Sequence, residues 1–252
     1  MKIDSETLNV LEQAKFVGTH LYLTHLGTLD RKLYTDVNKV LEAMGGKWNR
    51  SAKAHIFDGI PSDILEPVLL TGEYSRTKQD FGQFDSPPEV VARVMELSEI
   101  GEFPAPAYVL EPSAGVGNIA LAAQAAGARV TTYEMDPKRV TALRAAGINA
   151  VNEGNFLLAT LPQMFDLVLM NPPFAKQADI DHVLHAASFL KPGGRLVSVM
   201  SASVMFRENK KTSDFRDWVH DQPTGTIEEL PADAFKASGT AVRACIIAVD
   251  VP

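Results

Sequence analysis

The chain is nearly devoid of cysteine, with Cys245 as the single thiol in 252 residues. One thiol excludes internal disulfides and a cysteine-based zinc site. Because Cys245 falls in the apolar run 244–247, we expect it to be a buried structural residue. The sequence also lacks any apolar stretch near the roughly 18 residues of a membrane span, and its polar, acidic residues 1–6 do not resemble a secretory leader. These absences favour a cytoplasmic protein without membrane contact.

Basic charge is scarce as well, with 24 Lys and Arg against 31 Asp and Glu and a net charge of −7. This balance argues against strong, diffuse binding to nucleic acid. Two local exceptions are basic: residues 31–53 hold six cations and two acids, and residues 207–216 hold four cations. At 46% hydrophobic, the chain is long enough for one full core and a small accessory unit.

Residues 1–75 are predicted to form a small α+β unit. Apolar spacing of three and four predicts helices, and alternation predicts strands. The predicted elements are a helix over 5–16, a strand over 19–24, a helix through Val37, Val40, Leu41 and Met44 that Gly45-Gly46 terminates, a hairpin around 49–51 and a short helix from Pro61. His20, His25 and His55 do not have metal-ligand spacing.

The predicted hairpin combines cations with an aromatic side chain. Lys47, Arg50 and Lys53 surround Trp48, an arrangement that can hold a phosphate backbone and stack on a base. A buried Trp with solvated lysines around it explains the same residues equally well, so both interpretations stay open.

Residues 76–252 alternate strands with helices, which predicts a doubly wound, mostly parallel sheet. The polar stretch 72–85 is a predicted linker, and Ser86 is a candidate cap for the helix that begins at the following prolines. Further along, we expect a helix over 180–190, a tight turn over 190–195 and a mobile loop over 201–225 that carries a short helix near 215–219.

A Gly-rich turn joins the first predicted strand of this region to a helix. Gly115-x-Gly117-x-x-Ala120 has the small-residue spacing that lets a ligand approach the backbone. Glu134 follows 17 residues after Gly117 at the end of the next strand, where a carboxylate can accept both hydroxyls of a ribose. Met135 can then lie against an adenine, as can Phe156 in the later Gly-Asn-Phe turn.

An acid within the first turn decides which ribose ligand fits. Glu111-Pro112 would repel a pyrophosphate, and position 120 lacks the third glycine of a nicotinamide site. A carboxylate there suits a cationic ligand end, such as the ammonium of an amino acid. A ligand with a ribose, an adenine and an amino-acid tail is S-adenosylmethionine.

A short apolar strand that starts at Asp166 ends abruptly in Asn171-Pro172-Pro173-Phe174. The two prolines stop a helix and leave carbonyls without competing N–H groups. The Asn171 side-chain oxygen and the Pro172 carbonyl can each accept one N–H of an exocyclic amine, which stabilises positive charge on the nitrogen as it attacks a methyl carbon. Phe174 would stack on the base. A plain Asn-Pro turn is the alternative.

Together these motifs resemble the class I S-adenosylmethionine-dependent methyltransferases, in particular the N6-adenine DNA enzymes of the gamma type found in restriction–modification and phage systems. The resemblance covers roughly residues 84–251 and rests on the order Ser-Pro-Pro helix, Glu-Pro-x-Ala-Gly-x-Gly, acid strand and Asn-Pro-Pro-Phe. It implies a Rossmann-like fold, S-adenosyl-L-methionine as cofactor, and direct in-line transfer to a flipped-out adenine of DNA without metal or covalent intermediate.

The resemblance also implies the site residues. The target amine would be held by Asn171, Pro172, Pro173 and Phe174. The cofactor would contact Phe84, Ser86, Pro87, Glu111, Ala114, Gly115, Glu134, Met135, Asn155, Phe156 and Asn171, and Gly117 and Asn118 of the same Gly-rich turn complete the predicted site.

Two departures from the family pattern bear on function. Position 155 is usually Asp, whose carboxylate accepts from the adenine amine, and Asn155 can accept only through its amide oxygen. The sequence ends at Pro252 without the target-recognition domain common in the group. We therefore expect recognition to come from residues 1–75, the 201–225 loop, or a partner subunit or oligomer.

Other functions fit parts of the pattern. The Asn-Pro-Pro-Phe motif suits any planar amine, so a methyltransferase of RNA bases is the main enzymatic alternative. A non-catalytic module that binds cofactor and nucleic acid is the second. Cytosine C5 chemistry is set aside, because it needs a cysteine nucleophile and Cys245 lies in a late strand.

Overall fold

The computed structural model describes residues 1–74, 84–148, 150–238 and 242–252, without the side chain of Asp63. The chain divides into two compact units. The first comprises Met1–Asp80 with Phe206–Ser213, and the second comprises Phe81–Met205 with Asp214–Pro252. Most of the predicted linker over 72–85 lies outside the described residues, and the division of function at residue 75 stays a prediction.

The first unit is α+β. Its elements are α1 (Ser5–Glu12), β1 (Lys15–Val17), β2 (His20–Tyr22), α2 (Arg31–Ala43), β3 (Lys47–Asn49), β4 (Ala54–Ile56) and α3 (Pro61–Thr71). In the described residues the strands form one antiparallel sheet in the order β1-β2-β4-β3. The small N-terminal α+β unit predicted from the sequence is therefore confirmed, with an antiparallel sheet.

One predicted boundary in this unit is wrong. The helix expected over 5–16 ends at Glu12, and residues 15–17 form β1 instead. The helical face of Leu8 and Leu11 is buried in the core of the unit, whereas Phe16 is exposed on an edge strand. Pairing of Phe16 with Leu21 across β1 and β2 overrides the local helical spacing.

The second unit is a seven-stranded sheet with helices, counted over the described residues. Its elements are α4 (Pro88–Ser98), β5 (Tyr108–Glu111), α5 (Asn118–Ala125), β6 (Arg129–Glu134), α6 (Pro137–Ala145), β7 (Ala150–Glu153), β8 (Phe165–Met170), α7 (Ala178–Ala187), β9 (Leu190–Ser201), α8 (Lys210–His220), β10 (Thr226–Glu229) and β11 (Ala244–Asp250). The start of α8 groups with the first unit. Strand order is β10-β11-β9-β8-β5-β6-β7.

The predicted fold class is confirmed: five strands run parallel, and β11 and β10 are antiparallel additions at one edge. Strand β8 lies near the middle of the sheet and all six of its residues are buried. Because β5 lies between β6 and β8, the carboxyl ends of these three strands meet at one edge of the sheet. In open α/β sheets this edge is where ligands bind.

The tight turn predicted over 190–195 is wrong, as is the helix expected to reach Leu190. Helix α7 ends at Ala187 and β9 already begins at Leu190. The Pro-Gly-Gly segment forms a bulge within β9, so that the partners of β8 jump from Leu190 to Arg195. Gly193 and Gly194 exchange backbone hydrogen bonds with Val251, which keeps this segment in the sheet.

The segment predicted as a mobile loop over 201–225 is largely helical. A 3₁₀ turn covers Ala202–Met205, and α8 spans Lys210–His220, which is longer than the short helix expected near 215–219. Phe215 and Val219 lie one helical turn apart and are both buried. The burial of these two side chains stabilises α8. The other residues of this helix are mostly polar, and for this reason its full length was not predicted from the sequence.

The lone thiol of Cys245 is buried in β11, and burial raises its pKa above the usual range. No helix among the described residues has both the length and the apolar content needed to span a membrane. Within the same residues no group of three or more His, Cys, Asp or Glu side chains is arranged to hold a metal ion.

Candidate cofactor and amine site

An open cavity lies within the second unit, with about 640 Å³ of empty space that includes the solvent at its mouth. Most of the predicted site residues line it, and they come from the carboxyl ends of neighbouring strands and from the segment before α4. These are Glu111 at the end of β5 with Ala114, Gly115 and Asn118 beyond it, Glu134 at the end of β6 with Met135 beyond it, Asn155 and Phe156 after β7, Asn171 and Pro173 after β8, and Phe84 and Ser86 before α4. Pro87, Gly117, Pro172 and Phe174 do not line it.

The Asn171 side chain is held in one orientation. Its amide nitrogen donates to the carbonyl of Phe84 at 2.8 Å and to the hydroxyl of Ser86 at 2.9 Å. Both amide hydrogens are thereby used, so the amide oxygen is the group left to accept. A group that must accept an amine N–H is preorganised by such anchoring.

Ser86 does not cap α4, which corrects the sequence-based prediction. The residue at the cap position is Pro87, and no side chain caps this helix. Ser86 is buried and its hydroxyl accepts from Asn171 instead, while its carbonyl accepts from Asn118 at 2.8 Å. Three segments of the cavity wall are thus joined through one serine.

The Phe174 ring is only 2% exposed. It packs near Phe84, with the ring centroids 6.3 Å apart. In this conformation the ring is not an open surface for a base. Stacking of Phe174 on a target base stays a prediction, and it requires the ring to move or the base to meet its edge.

Glu111 is a buried acid without a cation. The side chain is 2% exposed, and its Oε2 atom is without a hydrogen-bond partner in the described structure. Burial, with a smaller contribution from the neighbouring Glu134 charge, raises the pKa of Glu111 well above its ordinary value. An unpaired carboxyl at a cavity wall fits a cationic ligand group, which would stabilise the ionised form.

Glu134 is also buried, but both of its oxygens accept hydrogen bonds from the backbone. Its Oε2 accepts from the backbone N–H of Gly115, and its Oε1 accepts from the backbone N–H groups of Met135 and Asp136, all at 2.8 Å. These bonds fix the carboxylate at the end of β6 and tie it to the Gly-rich turn. Oε1 already accepts two hydrogen bonds, so Oε2 is the oxygen that retains acceptor capacity for a hydroxyl.

The two glycines of the turn have different roles. Gly115 has a φ of +56° and lines the cavity. Gly117 has a φ of +90°, and a Cβ there would approach Leu143 of α6 to 2.6 Å. Gly117 therefore permits close packing of α5 against α6, and its predicted approach to a ligand is not seen in the cavity lining.

The amide of Asn155 caps a 3₁₀ turn. Its Oδ1 accepts from the backbone N–H of Leu157 at 3.0 Å. The oxygen that the sequence assigned to an adenine amine is thus already used once, and its remaining lone pair is the acceptor available to a ligand. Adjacent Phe156 is buried and lines the same wall.

Four charged or titratable residues of the cavity were not predicted as site residues: Asp85, Tyr133, Arg139 and His182. Arg139 pairs with Asp85 at 3.3 Å across the cavity wall. Asp85 adjoins predicted residues, so its position in the sequence was a usable signal. Arg139 and His182 come from the interiors of α6 and α7, where no motif distinguishes them from ordinary helix residues.

His182 is a buried, neutral imidazole. It is 7% exposed, packs edge-on to Phe156 at a centroid distance of 6.0 Å, and its Nδ1 is among the described buried atoms without a hydrogen-bond partner. Burial lowers the pKa of His182 to about 4. The side chain is thus uncharged at neutral pH and adds a polar atom beside an aromatic wall.

We expect His182 to destabilise the fold in acid. Since its pKa falls from 6.5 to about 4 on folding, the unfolded chain takes up the proton first, and stability is lost as the pH drops from 6.5 towards 4. The full difference is on the order of 3 kcal/mol, at about 1.4 kcal/mol for each pKa unit. Urea unfolding of the wild type and His182→Gln at pH 7 and 4.5 measures it.

The matched control for this prediction is His220→Gln, because His220 is exposed at the end of α8. That variant should lose stability in acid as the wild type does, whereas His182→Gln should lose less. Identical acid losses in all three proteins would contradict the assignment to His182.

The wall chemistry fits an S-adenosylmethionine-like ligand. Glu111 supplies a buried acceptor for an ammonium, Glu134 supplies a carboxylate oxygen for a ribose hydroxyl, and Asn155 and Phe156 supply an amide and an aromatic group for an adenine. Asn171 adds an oriented amide oxygen at the same cavity. The individual contacts stay predictions.

Comparison with known protein families gives one match by family model. The model described as methyltransferase small domain matches residues 83–215, which is more than half of the chain. A comparison with curated protein sequences found no match.

Solved structures with a similar fold include two type I restriction–modification proteins. The methyltransferase subunit from Streptococcus thermophilus is 19% identical, with a TM-score of 0.60 over 75% of this chain and 48% of that chain. The M protein of the type I restriction enzyme EcoKI is 18% identical, with a TM-score of 0.55 over 97% of this chain and 56% of that chain. This chain thus spans about half the length of these subunits.

A putative RNA methyltransferase from Pyrococcus horikoshii is similar as well. It is 18% identical, with a TM-score of 0.52, over 71% of this chain and 93% of that chain. At sequence identities of 18% and 19%, the similarity to these three structures shows a shared fold and nothing more.

Proposed function

We propose that this chain, which belongs to the methyltransferase small domain family, transfers a methyl group from S-adenosyl-L-methionine to the exocyclic N6 amine of adenine in DNA. The proposal rests on one observation. The amide of Asn171 has both hydrogens anchored to Phe84 and Ser86, which leaves its oxygen to accept an amine N–H at the cofactor cavity.

The roles of the residues follow from this geometry. The Asn171 oxygen would accept one amine hydrogen, which directs the nitrogen lone pair towards the methyl group and stabilises the developing positive charge. The motif assigns the second amine hydrogen to the Pro172 carbonyl, although Pro172 does not line the cavity. Bound cofactor supplies the electrophilic methyl group. Glu111 would bind its ammonium and Glu134 its ribose, so that the methyl group and the amine meet in line.

The choice of DNA is supported by the motif order and by the fold shared with two type I restriction–modification methyltransferases. One of these proteins is described as a subunit of a type I restriction–modification system, which supports a partner subunit for this chain as well. The similar fold of a putative RNA methyltransferase keeps RNA bases as the second candidate substrate.

The experiment is transfer of tritiated methyl from S-adenosylmethionine to unmethylated DNA, with bulk RNA in parallel and digestion to nucleosides. We expect label in N6-methyldeoxyadenosine. Label in RNA alone would replace DNA by RNA as substrate. Cofactor binding without label in any nucleic acid, also after addition of host extract as a source of partner subunits, would favour a non-catalytic binding module.

A further inference from the structure

The hairpin β3–β4 of the first unit carries an exposed aromatic side chain on the edge of the sheet. Trp48 is 47% exposed, although it is one of only two tryptophans in the chain. Its strand β3 is the last in the order β1-β2-β4-β3, so the edge beyond it is free of any strand in the described part of the unit. A large exposed aromatic group at such an edge is available to a ligand.

One side of the Trp48 ring packs against the neighbouring strand β4. Trp48 lies directly opposite His55 in the antiparallel pair of β3 and β4, and the centroids of the two rings are 5.1 Å apart. His55 is buried, and its Nε2 bonds the amide oxygen of Asn38 at 2.8 Å, while the Asn38 amide donates to Glu42 at 2.7 Å. Burial lowers the pKa of His55, which keeps the imidazole neutral as a packing surface for the indole.

The hairpin is locally basic in an acidic protein. Lys47, Arg50 and Lys53 are all exposed, and residues 44–57 contain no Asp or Glu, against a net charge of −7 for the whole chain. Within the described residues none of these three cations forms an ion pair with a carboxylate. Their charge is therefore not neutralised by the protein itself.

The loop that presents two of the cations is closed by a side-chain hydrogen bond. The side-chain oxygen of Asn49 accepts from the backbone N–H of Ala52 at 2.9 Å, across the turn 50–53. Lys53 has a φ of +50° at the end of this turn. The loop thus places Arg50 and Lys53 beside the tryptophan strand without a large further ordering cost.

We propose that this hairpin is a docking site for single-stranded DNA, in which an unpaired base stacks on Trp48 and Lys47, Arg50 and Lys53 contact the flanking phosphates. Uncompensated cations complement phosphodiesters, and a supported indole with an open side suits a base that is not already stacked in a duplex. The choice of DNA over RNA rests on the proposed function; the binding itself does not depend on methyl transfer.

The stacking part of the proposal is measured by tryptophan fluorescence and fluorescence anisotropy. In a Trp218→Phe background Trp48 is the only indole, and a single-stranded DNA oligonucleotide should quench its emission. Trp48→Ala should weaken binding of the labelled oligonucleotide about tenfold. The catalytic variant Asn171→Ala should bind as the parent does, which separates a failure of docking from a failure of the proposed chemistry.

The charge part is measured as the salt dependence of binding. Three phosphate contacts on a single strand give a slope of about −2 in log K against log salt. The triple variant Lys47→Gln, Arg50→Gln, Lys53→Gln should lose that slope, which corresponds to about 16-fold between 50 and 200 mM salt. In a matched control, Lys2, Arg31 and Lys32 are replaced by Gln. This variant loses the same number of positive charges from the same unit, and it should keep most of the salt-dependence slope.

Three outcomes would overturn the proposal. Equal losses in the triple variant and its matched control would reduce the effect to net charge. Binding of the same-sequence duplex or RNA at least tenfold tighter than the single strand would exclude single-stranded DNA as the occupant. Unchanged binding in Trp48→Ala and in the triple variant would show that the single strand binds outside the hairpin.

Discussion

Replacement of Asn171 by alanine is expected to lower kcat for methyl transfer several hundredfold or more, on the order of 4 kcal/mol. The amide oxygen is the acceptor that both anchoring bonds leave for the substrate amine. Because this interaction strengthens as the nitrogen becomes positive, its loss affects the transition state more than the bound cofactor. Single-turnover transfer measures the rate, and titration calorimetry measures the cofactor Kd, which should stay within about threefold.

A matched control for this variant is Asn152→Ala. Asn152 lies in β7, the strand next to β6. Its side-chain amide donates to the backbone carbonyl of Thr132, and the residue does not line the cavity. Its loss should leave kcat nearly unchanged. If Asn171→Ala retained more than a tenth of wild-type kcat, or lost cofactor binding to the same extent as kcat, the amine-acceptor role would be wrong.

The second large effect concerns Glu111, whose replacement by Gln should weaken S-adenosylmethionine binding about a hundredfold. Loss of one partner of a buried, hydrogen-bonded charge pair costs 2–5 kcal/mol or more. Methylthioadenosine has the adenine and ribose but no ammonium, so its affinity should not change. Glu153→Gln is the control, because Glu153 ends β7 of the same sheet, is exposed and does not line the cavity. Equal weakening of both ligands would refute an ammonium contact.

The same carboxyl predicts the pH dependence of binding. An ammonium binds the ionised form of Glu111, whose pKa in the free protein is raised by burial. Affinity should therefore be full above that pKa and fall about tenfold per pH unit below it. Calorimetric titrations from pH 8 downwards should show this fall in the wild type and a flat profile in Glu111→Gln.

Stability of the free protein should respond in the opposite sense. Since the folded-state pKa of Glu111 lies above the unfolded one, the folded chain holds this proton more tightly, and stability declines as the pH rises from about 4.5 through the folded pKa. Glu111→Gln should lack this decline and melt above the wild type at neutral pH. Removal of a group that binds ligand would then stabilise the empty protein.

The sequence was informative wherever local chemistry and the fold agree. The buried strand β8 and its Asn-Pro-Pro-Phe end were predictable, because an apolar run stopped by two prolines has few other structures. The Gly-rich turn and the acid at the end of β6 were predictable for the same reason. Their convergence on one cavity follows from parallel strand order.

The failures occurred where a distant partner decides the structure. Ser86 has every local feature of a cap, yet its hydroxyl accepts from Asn171, 85 residues later. The Pro-Gly-Gly segment has the composition of a turn, but Val251 pairs with it and keeps it in β9. His182 lines the cavity from inside a helix, where sequence offers no distinguishing pattern. Contacts between residues far apart in the chain cannot be predicted from the spacing of residue types within a short segment.

The anchoring of Asn171 also determines where a minimal catalytic fragment can begin. A fragment designed from the first sheet strand would start near Tyr108, and one designed from α4 would start at Pro88. Either start deletes the Phe84 carbonyl and the Ser86 hydroxyl, so the amide of Asn171 could rotate and present its nitrogen where an acceptor is needed. If the proposed transfer is assayed across a truncation library of this chain, turnover should therefore fall sharply between fragments that start before residue 84 and fragments that start after residue 86, even where the sheet still folds.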